Sequence, residues 1–404
     1  MKAKSEKLTN EAESPELEQS SFGPSAFSFK LKIGYDGKRA ANNLTGLGNY
    51  SRSLIANLAK SFPSNEYFVY TPKIKDHLKK SPLFTQPNVH LELPSAKNSK
   101  LFWRSSGIKS QLINDNINLF HGLSHEIPVG INNIGIKSIV TMHDLIFLRY
   151  PKYYRLIDRL IYKFKSKYAC ENVDRIIAIS EKTKEDIVDL YKIDSSKIDV
   201  VYQSCDDSFK TSSTENEKEK IREKYNLPVK YILNVGTIEA RKNLLLLIRA
   251  LPKIDSAYQL VVIGKETTYT ALVKKEIEKL GLKERVIFLK NVPFTDLPLI
   301  YQSAGIFILP SYYEGFGIPI IEALYSNVPV IAATGSCLEE AGGPNSIYVA
   351  PDDIKGLSNA VNKVLSDQNL QKEMKEKGLF YVQKFNNEAV SKRLMDCYLK
   401  TLAQ

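Results

Sequence analysis

The chain has 404 residues, 43% hydrophobic and 25% charged, enough for two domains of ordinary size and typical of a globular chain. No apolar run approaches the roughly 20 residues that cross a bilayer, and no His or Cys spacing forms a metal motif, so membrane-spanning and zinc-site classes are excluded. The net charge of +11 is uneven: residues 28–210 hold 28 Lys/Arg against 18 Asp/Glu, and residues 211–404 hold 25 against 22, so an anionic partner is expected at the first half.

Residues 1–28 are polar, rich in Ser and Glu, and lack the apolar core of a secretion signal. They are expected to be a disordered leader. Cys170, Cys205, Cys337 and Cys397 stand in no pairing or ligand spacing, which fits free thiols in a reducing cytoplasm.

From Leu31 onward, short β-branched runs alternate with helical patterns: LKIGYD, EYFVYT, NVHLEL, NLFHG, KSIVTM, DRIIAIS and KIDVVY, with helices expected over 49–61, 153–171 and 181–192. This is the rhythm of a parallel sheet covered by helices. In TGLGNYS (45–51), Gly46 and Gly48 could admit a phosphate or simply form a turn. The loop is not a dinucleotide fingerprint, because the preceding strand ends near Asp36 and the third glycine position is Ser51. TMHDLIF places His143 and Asp144 at a strand end, where a His is often structural. Ser180 ends DRIIAIS where a helix begins, as a plain N-cap would. Over 153–171, Arg155, Arg159, Lys163 and Lys167 fall four apart and make one basic stripe, with Leu156, Leu160 and Phe164 beside it. Two readings stay open: contact with anionic lipid or an anionic lipid-linked acceptor, or a solvated face on a core-packed helix.

A polar, charged stretch near 208–228 reads as a hinge. The rhythm then restarts with KYILNVG, YQLVVIG, RVIFL, GIFILP, VPVIAA and SIYVA, and three helical stretches end the chain. The expected units are 29–207, 208–385 and a terminal helix 386–404. Two doubly wound domains put the natural ligand site in the cleft between them, beyond the strands' carboxyl ends.

In NVGTIEARKN, Arg241 and Lys242 lie where a helix is expected over 242–252. Cations are disfavoured at a helix N-terminus unless an anion binds there, and Arg and Lys together suit a diphosphate. In ILPSYYEGFGIPIIEALYS, Glu314 stands in a glycine loop and Glu322 eight positions on, in a helix. Carboxylates accept hydrogen bonds from ligand hydroxyls, although either Glu alone could be a helix-start residue.

Together these stretches resemble the family-4 retaining glycosyltransferases, over about residue 31 to the end and most closely over 230–335. The family hallmark of two glutamates separated by seven residues reads here as Glu314 and Glu322. The resemblance implies an α/β fold of GT-B architecture, two Rossmann-like domains facing across a cleft. It implies transfer of a hexose from a nucleotide-sugar to a glycan or lipid-linked acceptor, in cell-envelope polysaccharide synthesis. Mannose from GDP-mannose is favoured, with no bound metal and no nucleic-acid partner. Arg241 and Lys242 would hold the diphosphate, Glu322 the ribose, and Glu314 the sugar hydroxyls near C3 and C4. Backbone N–H groups of Phe316, Gly317 and Ile318 would meet sugar and phosphate oxygens. The base would lie near Lys290 to Val292, His143 near the C6 hydroxyl, and Gly48, through its N–H, near the donor phosphate. The expected place is the cytoplasm, peripheral at the inner face of the membrane. The chain departs from the family at Gln203–Asp207, where an Asn-Gly-x-Asp turn is usual, and at Leu338, where Pro is usual; Glu339 follows as the family's Glu. Rival readings are a nicotinamide-dependent oxidoreductase, which needs a GxGxxG turn directly after a strand, and a non-catalytic basic binder of lipid or nucleic acid.

Overall fold

A computed structural model describes residues 30–44, 46–94 and 103–404; the leader expected over 1–28 lies outside them. The first domain carries β1 (Lys32–Asp36), β2 (Glu66–Tyr70), β3 (Val89–Glu92), β4 (Leu119–Gly122), β5 (Lys137–Met142), β6 (Arg175–Ala178) and β7 (Ile198–Val200). The second carries β8 (Tyr231–Val235), β9 (Gln259–Ile263), β10 (Val286–Leu289), β11 (Ile306–Leu309), β12 (Val330–Ala333) and β13 (Ile347–Val349). All their pairings are parallel, in the orders β3-β2-β1-β4-β5-β6-β7 and β10-β9-β8-β11-β12-β13. Both orders reverse beside the first strand of the domain, at β1/β4 and β8/β11, where a doubly wound sheet opens a crevice for ligands. Among the described residues the thirteen strands coincide with the thirteen apolar runs. Runs such as IFIL in β11 are buried on both faces, which only a helix-covered parallel sheet allows.

The helix Asn387–Leu402 ends the chain by returning to the first domain. Its Leu394, Met395 and Tyr398 share a core with Ile33, Tyr35 and Tyr67 of β1 and β2. The Tyr398 hydroxyl meets His121 Nδ1 at 2.7 Å, and His121 Nε2 meets Thr141 Oγ1 at 2.8 Å. Burial holds that imidazole near pKa 3, so it is a neutral core group. The two domains are thus tied by the linker after β7 and by this helix.

Candidate active site

The site lies at the β8/β11 crevice. The turn after β8 does not run directly into a helix, as the sequence pattern suggested. Ala240–Lys242 form a 3-10 turn, Asn243 follows at φ 55°, and the helix begins only at Leu244. Asn243 takes the left-handed region that Asn tolerates. Its amide pins the turn, donating to the carbonyls of Pro310 at 3.0 Å and Pro351 at 2.7 Å. Arg241 and Lys242 therefore project from a separate turn toward the loop after β11.

That loop answers with Glu314. Lys242 Nζ lies 2.7 Å from Oε1 and Arg241 Nη1 2.7 Å from Oε2, while Ser311 Oγ donates to Oε1 at 2.8 Å. Arg241 also pairs with Glu239 at 2.6 Å and donates to the Tyr313 carbonyl at 2.5 Å. Burial alone would raise the Glu314 pKa, but Lys242 and Arg241 outweigh it and bring it to about 2. Glu314 is a firmly ionised carboxylate held between two cations.

Glu322 behaves oppositely. It lies in the helix Ile318–Tyr325, and the Tyr301 hydroxyl donates to its Oε2 at 2.9 Å. Burial lifts its pKa to about 7, and nearby Asp206 adds to the rise. Two glutamates eight positions apart thus differ by several pKa units, because two cations hold one ionised while burial raises the other. Gly317 caps this helix at φ 116°, and a Cβ there would meet Leu338 at 3.0 Å. The Phe316 side chain is buried and stacks on Tyr202 at 5.4 Å, so it can offer a ligand only its backbone. Ile318 opens the helix, where the first N–H groups lack intrahelical partners. Val292 packs, half-buried, on the core after β10, and Lys290 reaches Glu266 at 3.1 Å.

The first domain brings His143 to this loop. A Cβ on Gly315 would stand 2.2 Å from the His143 carbonyl oxygen, so glycine is what lets the domains touch there. The ring of His143 is buried and edge-on to Tyr50 at 4.7 Å. Nε2 meets the Leu123 carbonyl at 2.9 Å and Nδ1 meets Gln203 Nε2 at 3.2 Å. Burial, with His125 beside it, holds its pKa near 3.

Further ties close the seam. Ser180 caps its helix and also donates to the Gly315 carbonyl at 2.8 Å. Tyr313 donates to Asp186 at 2.5 Å. Glu340, next to the exposed Glu339, accepts from the N–H groups of Glu181 at 2.7 Å and Lys182 at 3.0 Å. An anionic group there suits the helix Glu181–Tyr191, whose N-terminus is partly positive. Sequence reasoning missed Tyr50 and Glu340 as site neighbours, since nothing local marks these long-range partners, and marked Gln203 only as a departure from the family turn.

Two expectations change. The glycine-loop helix is Gly46–Ser61, so Gly48 lies inside its first turn rather than heading it. A Cβ on Gly48 would stand 1.8 Å from the Asn43 carbonyl oxygen, so a valine there damages packing directly. The basic helix is Leu156–Asn172, with Arg155 as its N-cap. Its core-packed reading fails over the first half: Leu156, Ile157, Leu160, Ile161 and Phe164 are 45–75% exposed. Burial begins only at Ser166. Lys163 and Lys167 are exposed and Arg159 is half-buried. Among the described residues no helix is long and apolar enough to cross a membrane.

Comparison with known families divides the chain at the same linker. Residues 44–209 match the model for Glycosyltransferase Family 4, and residues 216–379 match Glycosyl transferases group 1. The chain belongs to the family-4 glycosyltransferases. This glycosyltransferase is 30% identical over 240 residues to the O-antigen chain mannosyltransferase RfbU of Salmonella typhimurium, 59% of this chain and 63% of that protein. It is 28% identical over 287 residues to the O-antigen chain mannosyltransferase B of Escherichia coli, covering 69% and 74%. The first match thus spans less than two thirds of its relative's length. Among solved structures, a Rickettsia africae glycosyltransferase superposes with TM-score 0.73 at 22% identity, over 92% of this chain and 99% of that one. Anabaena HepE in complex with UDP and glucose gives 0.72 at 16% identity, over 92% and 100%. These likenesses show the shared GT-B fold.

Proposed function

We propose that this glycosyltransferase transfers mannose from GDP-mannose to a hydroxyl of a lipid-linked glycan, with retention, in cell-envelope polysaccharide synthesis. The observation that carries the donor site is Arg241 and Lys242 converging on Glu314 at the β8/β11 crevice. Mannose is supported by the named activities of the Salmonella and E. coli relatives.

In this reading the diphosphate engages Arg241 and Lys242, drawing them partly from Glu314, whose carboxylate then accepts from the sugar hydroxyls. Glu322 takes the ribose, the N–H groups from Phe316 to Ile318 meet sugar and phosphate oxygens, and the base lies by Lys290 to Val292. His143 faces the sugar's C6 hydroxyl, and Gly48 stands in the helix start near the phosphate. The anomeric C–O bond to the diphosphate breaks as the acceptor oxygen forms its bond on the same face. The acceptor's proton passes to the departing phosphate. Arg241 and Lys242 stabilise the charge that grows there, so the catalysis is chiefly electrostatic.

The acceptor side meets an anionic membrane through the helix Leu156–Asn172. Its exposed Leu156, Ile157, Leu160, Ile161 and Phe164 enter the interface while Arg155, Arg159, Lys163 and Lys167 pair with lipid headgroups. In this reading the enzyme works at the inner face of the cytoplasmic membrane. A thermal-shift panel of UDP-, GDP- and ADP-sugars tests the donor: GDP-mannose should give the largest stabilisation, and no shift by any of them would contradict the reading.

A further inference from the structure

The linker after β7 is the segment that departs from the family pattern, and it forms part of the site's lining. Tyr202 stacks on Phe316 of the Glu314 loop. Gln203, buried at 5% exposure, reaches His143 in the first domain. Cys205 belongs to the second domain's core, and Asp206 acts electrostatically on Glu322. The linker thus touches residues of both domains within a few positions.

The hydrogen bonds of His143 fix its proton. The Leu123 carbonyl can only accept, so Nε2 must carry the hydrogen. Nδ1 then has one lone pair and no proton, and the amide N–H of Gln203 holds that lone pair. The His143 backbone N–H meanwhile donates to His125 Nε2 at 2.8 Å, which anchors the residue from the other side. A sugar hydroxyl that bonds to this ring has one place to do so, and Gln203 already occupies it.

We propose that Gln203 is a positioning residue that exchanges with the donor: its amide N–H holds His143 Nδ1 in the free enzyme, and a hydroxyl of the transferred sugar takes that lone pair in its place. The exchange rests on the reading of His143 as a sugar contact. It makes the interdomain linker respond to the sugar, and not to the nucleotide alone. Because the lone pair accepts, the sugar group that binds there must donate its hydrogen.

The test compares wild type with Gln203→Met, which keeps length and removes the N–H. Calorimetry with GDP-mannose and with GDP should show GDP-mannose binding about threefold to tenfold tighter in the variant, the effect of one net hydrogen bond no longer displaced. GDP should bind the two proteins equally. In wild type, GDP-mannose but not GDP should shift the Gln203 side-chain amide signal in a nitrogen-15 NMR spectrum. This second measurement stands alone where the variant fails to fold. Equal changes for both ligands, no change for either, or an amide signal indifferent to GDP-mannose would overturn the exchange while leaving transfer intact. A wild-type protein that binds neither ligand overturns the donor assignment, and this proposal with it.

Discussion

Replacing Glu314 with Gln removes the one carboxylate shared by Arg241 and Lys242 and leaves the volume unchanged. The group's pKa falls from an ordinary 4.5 to about 2. At roughly 1.36 kcal/mol per unit, ionised Glu314 contributes about 3 kcal/mol to stability at neutral pH. The folded pKa is depressed, so this contribution is present above about pH 4.5 and is lost as pH falls toward 2. Glu314→Gln should therefore melt on the order of 6–12 °C below wild type at pH 7, with the gap narrowing in acid. GDP should restore more stability to the variant than to wild type, because its diphosphate then supplies the missing anion. Transfer should fall, since the sugar hydroxyls then face a neutral amide with one acceptor oxygen in place of a carboxylate with two. Melting curves from pH 3 to 8 with and without GDP check this. A variant that melts with wild type at every pH, and gains no more from GDP, would refute the electrostatic account of the turn.

Other outcomes follow from the same geometry. Lys242→Ala should lower the transfer rate on the order of 10²–10³-fold while the protein stays folded, as measured by GDP release in the presence of acceptor. Glu322 is the mirror case of Glu314: its folded pKa is raised to about 7, so stability falls as pH rises from about 4.5 to 7. Glu322→Gln should be more stable than wild type at pH 8 yet bind GDP more weakly, which melting and calorimetry read together. Leu160→Asp with Phe164→Asp should abolish sedimentation with anionic liposomes without lowering Tm, since both side chains are exposed. Gly48→Val should lower Tm as well as activity, because its Cβ meets backbone oxygen.

The strands were legible because each is a continuous apolar run between turn residues, and burial on both faces leaves little alternative. The candidate site was legible as residue types after strand ends, since the parallel sheets gather those ends on one edge. Its inner wiring was not. Asn243 breaks the pattern before Leu244 with a single left-handed residue, which periodicity does not register. Gln203 meets His143 across 60 positions, and Glu340 meets Glu181 across 159; tertiary packing alone selects those partners. The helix Leu156–Asn172 shows a different gap. Its apolar positions were visible in the sequence, but only the fold reveals that they stay exposed among the described residues.

The most direct measurement incubates the full chain with GDP-mannose and a lipid-linked glycan in anionic liposomes and follows the anomeric protons by NMR. The account predicts release of GDP and a new mannoside whose configuration matches that of the donor, formed on the order of 10²–10³-fold more slowly by Lys242→Ala. An inverted product, or undiminished transfer by Lys242→Ala, would contradict it.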